Sequence, residues 1–189
     1  MCTYASTTLY KCGFGLLLCC HMTIFITLVA ILQTFSVSLG VGSSTLAIIN
    51  FFVAIADGKI DETERKMMGV VYIALRVAMV AILVTTLGLV ALEFINNGAV
   101  SLSPFDIAQL FTLSILFVNA VLMSARLMPS TFGPALQAGS WYALGTLVAL
   151  KLQGITDFTF IQFFLAFVTW LVLAVGIVNG IMALLKKRR

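Results

Sequence analysis

Asp57-Gly-Lys-Ile-Asp-Glu-Thr-Glu-Arg-Lys66 decides how this chain folds. The stretch holds seven of the eighteen charged residues and stands between long apolar runs. It therefore reads as a water-exposed connector between two segments that are not exposed to water. Asp57-Gly58 is a turn signal, and Asp61 followed by Glu64 fits an acidic capping box with Asp61 as N-cap. Carboxylates at Glu62 and Glu64 also suit the positive end of a helix dipole, so a helix is expected to begin near Glu62. The island matches the second half of a calcium-binding EF-hand loop. Val53 and Ile55 occupy the places of the first two oxygen ligands, so it is a plain cytoplasmic turn and not a metal site.

The surroundings of the island set the class. The chain is 61% hydrophobic and 10% charged, with mean hydropathy +1.14. That leaves too little polar surface to cover a soluble globule. The net charge of +4 does not indicate nucleic acid, because the basic residues stand at the ends of apolar runs rather than in one patch. The expected partner is the lipid bilayer, and residues 1–189 form one transmembrane helical-bundle domain.

Downstream of the island (57–66), a helix over 62–95 ends at Asn96-Asn97-Gly98. Ser103-Pro104-Phe-Asp106 supplies an N-cap, a proline at the first helical position and an acid in the first turn. Helices follow over 104–128, 135–152 and 158–185, divided by a Pro129–Pro134 loop and a Gln153–Asp157 turn, and Lys186-Lys-Arg-Arg189 forms a basic tail. Upstream, the run over 40–56 is barely long enough to cross a hydrocarbon core of about 30 Å, whereas 14–36 meets the requirement. Between them Ser38-Leu-Gly-Val-Gly-Ser-Ser-Thr45 reads as a tight turn. The expected fold is all-α: a polytopic integral membrane protein of six transmembrane helices, N-in/C-in. Five spans with a re-entrant second segment is the rival.

Charge distribution orients this arrangement. With both termini cytoplasmic, Lys11, Lys59, Arg65, Lys66, Arg126 and the last four residues face inward, nine of eleven basic residues. The outer side carries Glu93, Asp106 and Asp157, in keeping with the positive-inside bias. A bacterial inner membrane is the expected location.

The four cysteines, Cys2, Cys12, Cys19 and Cys20, precede the single histidine, His21. Their spacing fits no closed zinc site, and one histidine supports no bis-histidine haem. They read as small apolar thiols, without metal or cofactor. Met22 is an alternative start.

Depth singles out a candidate site. Counted from each cytoplasmic helix end at ~1.5 Å per residue, His21, Asn50, Arg76, Asn119 and Asn179 lie at roughly 10–14 Å. Polar groups inside hydrocarbon are costly and normally face the bundle interior, which predicts a polar layer centred on Arg76. The competing reading of Arg76 is snorkelling toward the cytoplasmic headgroups. Free backbone groups near Gly40, Gly42, Ser43 and Ser44 are a second candidate, for an anion or a cation. Gly176 and Gly180 form a G-x-x-x-G, and Gly139 stands in a row with Ala135 and Ala143. Such rows let helices pack closely within one copy or between copies of a homo-oligomer.

No catalytic constellation accompanies these residues, so no enzyme is expected. The expected function is a channel or transporter for a small or anionic solute, using the polar layer. The alternative is a structural or accessory subunit whose charged island and basic tail dock a membrane-complex partner.

Overall fold

A computed structural model describes the backbone of residues 12–57, 62–97, 103–128 and 132–187, with side chains except at 12–22, 55–57, 93, 96–97 and 186–187. Five helices account for nearly all of it: α1 (Cys12–Asp57), α2 (Glu62–Asn97), α3 (Pro104–Ser124), α4 (Phe132–Leu152) and α5 (Phe160–Lys187). Segments Thr23–Ala54, Glu62–Leu92, Pro104–Ser124 and Phe160–Leu185 are long and apolar enough to cross a membrane, which makes this a multi-pass architecture. The proposed cap at Asp61 and the cysteines lie outside the described side chains.

Where six helices were expected there are five, because α1 runs unbroken through the Ser38–Thr45 segment. The physical reason lies in the hydroxyls. Thr34 and Ser36 donate to the carbonyls of Ala30 and Leu32, while Ser44 and Thr45 both donate to that of Val41. These four hydroxyls are thus satisfied within the helix, and back-bonding of this kind can bend a helix without ending it. Glycine costs about 1 kcal/mol against alanine in a water-exposed helix. With no water competing for the backbone in hydrocarbon, Gly40 and Gly42 do not stop α1. The count of six helices rested on that turn and goes with it.

Local signals set the other ends. Ser103 caps α3 as read from sequence: its hydroxyl accepts from Asp106 N–H while the Asp106 carboxylate accepts from Ser103 N–H. Thr159 and Gln162 form the same reciprocal box at α5. Two C-termini close in Schellman geometry. After α3, Leu127 N–H bonds Leu122 O and Arg126 N–H bonds Met123 O, with Arg126 at φ 58°. After α4, Ile155 N–H bonds Leu150 O and Gly154 N–H bonds Lys151 O, with Gly154 at φ 72°. The left-handed residue in each satisfies carbonyls that the helix leaves free.

Packing follows chain order. α1 and α2 form a long antiparallel hairpin, and the bonded pair Gln33 and Thr86 lies equally far from the 58–61 connector on both helices. α4 is the central helix, flanked by α1, α3 and α5. Its 21 residues include nine buried ones, among them Trp141, Leu144 and Leu147. Trp141 joins Val37, Leu75, Ile82, Leu113 and Leu116 in a core drawn from four helices. A smaller cluster of Phe105, Ala108 and Leu147 is covered by Phe158 and Phe163.

Candidate functional site

Two amide clusters occupy the interior at different levels. In the first, Gln33 of α1 and Gln109 of α3 both donate through Nε2 to Thr86 Oγ1 of α2, at 3.1 and 3.3 Å. In the second, Asn119 Nδ2 of α3 donates to Gln137 Oε1 of α4 at 2.8 Å and to Gly133 O at 3.1 Å. Gln137 Nε2 points at Met79 Sδ of α2, 3.6 Å away. Each cluster ties three helices by bonds between neutral groups, the usual polar adhesive of membrane bundles. Asn119 Oδ1 and Trp141 Nε1 are buried without a hydrogen-bond partner.

The two levels do not join into a path. Gln109 and Asn119 are ten residues apart on α3, about 15 Å at ~1.5 Å per residue. Between them Leu113 and Leu116 are packed against Ile82, and Leu116 and Ile82 are both fully buried. Buried apolar side chains thus occupy the interior between the clusters.

The residues singled out by depth are distributed otherwise. Asn119 is buried and central, and Asn50 is half-buried with Nδ2 unpartnered. Arg76 and Asn179 are exposed. Arg76 shares its face with exposed Tyr72, Ile73, Val77 and Val80, an apolar stripe suited to lipid. The side chain of His21 lies outside the described residues. Helical side chains lean toward their N-terminus, which for α2 is the charged island, so Arg76 reaches toward the end where Lys66 pairs with Glu62 at 2.9 Å.

The small-residue segments also separate. Gly40, Ser43 and Ser44 are buried inside α1, while Gly42 is exposed and would meet nothing with a side chain. As interior helix residues they offer no free backbone groups of the kind expected of a turn. At Gly139 α4 and α5 approach closely: Trp170 Nε1 donates to its carbonyl at 2.9 Å, and a Cβ there would press on Leu171. A Cβ at Gly176 or Gly180 would meet nothing within 4 Å among the described residues.

An apolar groove between α4 and α5, of about 510 Å³, was not legible in the sequence. Trp170 and Tyr142 close one end and Phe158 the other. Ala143, Thr146, Leu147 and Leu150 form the α4 wall, and Phe163, Ala166 and Phe167 the α5 wall. The Trp170–Gly139 bond pins the helices at the Trp170 end. Beyond that pin Ala143 and Ala166 are too short to fill the space between the helices. At the Phe158 end, Phe158 packs on Phe105 with centroids 6.0 Å apart, and Lys151 Nζ lies 5.3 Å from the Phe105 centroid.

Among the described residues no group of His, Cys, Asp and Glu could hold a metal ion. Comparison of the chain with protein-family models, curated proteins and solved structures found no match.

Proposed function

We propose that this chain is a structural or accessory subunit of a membrane assembly, acting through its surfaces and not through a pore of its own. The observation that carries this reading is the filled interior, in which Ile82, Leu116, Trp141 and Leu144 stand between and beside the amide clusters without solvent exposure. Two surface features suit assembly. Gly176 and Gly180 leave the α5 surface open to close approach, and exposed Asn179 between them offers an amide that lipid cannot satisfy. The charged island and basic tail supply the charge for a partner on the cytoplasmic side.

All five helices cross in this reading, including α4, whose lower apolarity is covered by its neighbours. The island, Arg126 and the basic tail then share the cytoplasmic side, and the Cys12 end of α1 lies outside. The connections keep the sides given to them by charge, while Lys11 moves outside. That leaves eight of the eleven basic residues on the cytoplasmic side, the other two being Arg76 and Lys151. In a variant with the four cysteines replaced by serine, a single cysteine at Gln153 should react with an impermeant maleimide on intact cells. One at Arg126 should react only after permeabilisation, and the reverse pattern overturns the orientation.

A second reading, transport along a path between copies, is favoured by Arg76 and Asn179 being on the outside of the bundle. Purified protein in vesicles separates the two. Iodide and glycerol leak at the protein-free rate supports the accessory role, while a flux lost in Arg76→Ala establishes the transporter.

A further inference from the structure

We propose that the α4–α5 groove is a binding site for an anionic phospholipid, with one acyl chain lying between the helices and the phosphate held by Lys151. Alanine, leucine and aromatic side chains wall the groove, with Thr146 and Gln162 among them, and it opens to the bundle surface at exposed Thr146, Gln162 and Ala166. In a membrane that surface faces hydrocarbon. An empty apolar gap forfeits dispersion contacts along its whole lining, so the chains of surrounding lipids fill it. At ~1.5 Å per residue the α4 wall from Tyr142 to Leu150 runs about 12 Å along the helix, which suits an extended chain laid parallel to it.

The Phe158 end supplies the headgroup contact. Lys151 is exposed beside Phe105, which packs on the Phe158 ring that closes the groove. Among the described residues the Lys151 ammonium has no carboxylate partner, and Asp157 on the same connection is not paired with it. Lys151 is also the only basic residue in the α2–α3 and α4–α5 connections and the helix ends that flank them. An exposed ammonium at a helix end that no other basic residue shares can reach a lipid phosphate as a point charge.

The chain has two tryptophans, and they report separately. Trp141 is fully buried in the core, whereas Trp170 lines the groove. The protein is reconstituted in unbrominated phosphatidylcholine with a small mole fraction of phosphatidylglycerol or phosphatidylcholine brominated on one chain. Brominated phosphatidylglycerol should quench Trp170 at about fivefold lower mole fraction, the preference expected from one lysine at an anionic surface. Lys151→Gln should bring the two lipids level. Ala166→Phe, which fills the groove, should remove the phosphatidylglycerol advantage while Trp141 emission is unchanged. Equal quenching by both lipids in the unaltered protein overturns the proposal, as does an advantage that persists in either variant.

Discussion

The benzo ring of Trp141 occupies the space that a side chain at Gly40 would need, so α1 and α4 meet where one presents its largest residue and the other presents none. This contact explains a glycine in the middle of a 46-residue helix.

Two glycines two residues apart should therefore respond in opposite directions. Gly40→Ala drives a methyl group into the indole, and overpacking of this kind costs about 1–3 kcal/mol. Gly42→Ala meets nothing within 4 Å and should gain roughly a few tenths of a kcal/mol, less than the ~1 kcal/mol of a water-exposed helix, because no water competes for this backbone. Thermal unfolding in detergent reads both, and a loss at position 42 equal to that at position 40 would contradict the packing.

The second prediction concerns the Asn119–Gln137 pair. Asn119→Leu leaves Gln137 Oε1 without its donor and takes from Gly133 O the bond it accepts besides the helix's own, and an orphaned buried acceptor costs about 1–3 kcal/mol. The double variant Asn119→Leu/Gln137→Leu should lose less than the two single changes added together. A coupling of about 0.5–2 kcal/mol in the unfolding cycle is expected. Strict additivity would mean that the two amides do not hold each other.

Helix ends supply the third. Arg126 and Gly154 occupy the same left-handed position of the same motif, one with a side chain and one without. Arg126→Gly should gain about 1 kcal/mol and Gly154→Ala should lose about as much, because L side chains are strained at positive φ. Melting temperatures of the two variants should move apart, and movement in the same direction would contradict the motif.

Helix boundaries were legible wherever they coincide with a polar-to-apolar step or a local cap. The island announced α2, Ser103-Pro104 announced α3, and Lys186 onward announced the end of α5. Gly40-Val-Gly42 misled because turn preferences describe a backbone competing with water, and α1 has no such competitor. Depth along an axis could not place the site, since it ignores the direction a residue faces. Arg76 and Asn119 lie at similar depths, yet one is exposed and the other is among the most buried side chains. The glutamines at 33, 109 and 137 carry the same signal as the asparagines, a carboxamide inside an apolar run, and weighing them would have found both clusters. The α4–α5 groove depends on space left by Ala143 and Ala166, and no residue type marks a gap.

The neutrality of the two interior clusters sets what this bundle can sense. A transmembrane voltage acts only on charge, at about 2.3 kcal/mol per elementary charge per 100 mV. The amides and hydroxyls joining α1 through α4 carry no net charge for the field to move and no proton to gain or lose near neutral pH. Between Met67 and Leu92 of α2 the one formal charge is Arg76, and it faces outward. Among the described side chains the interior is thus electrically silent, and within the span of α2 a field acts on Arg76 at the outer face.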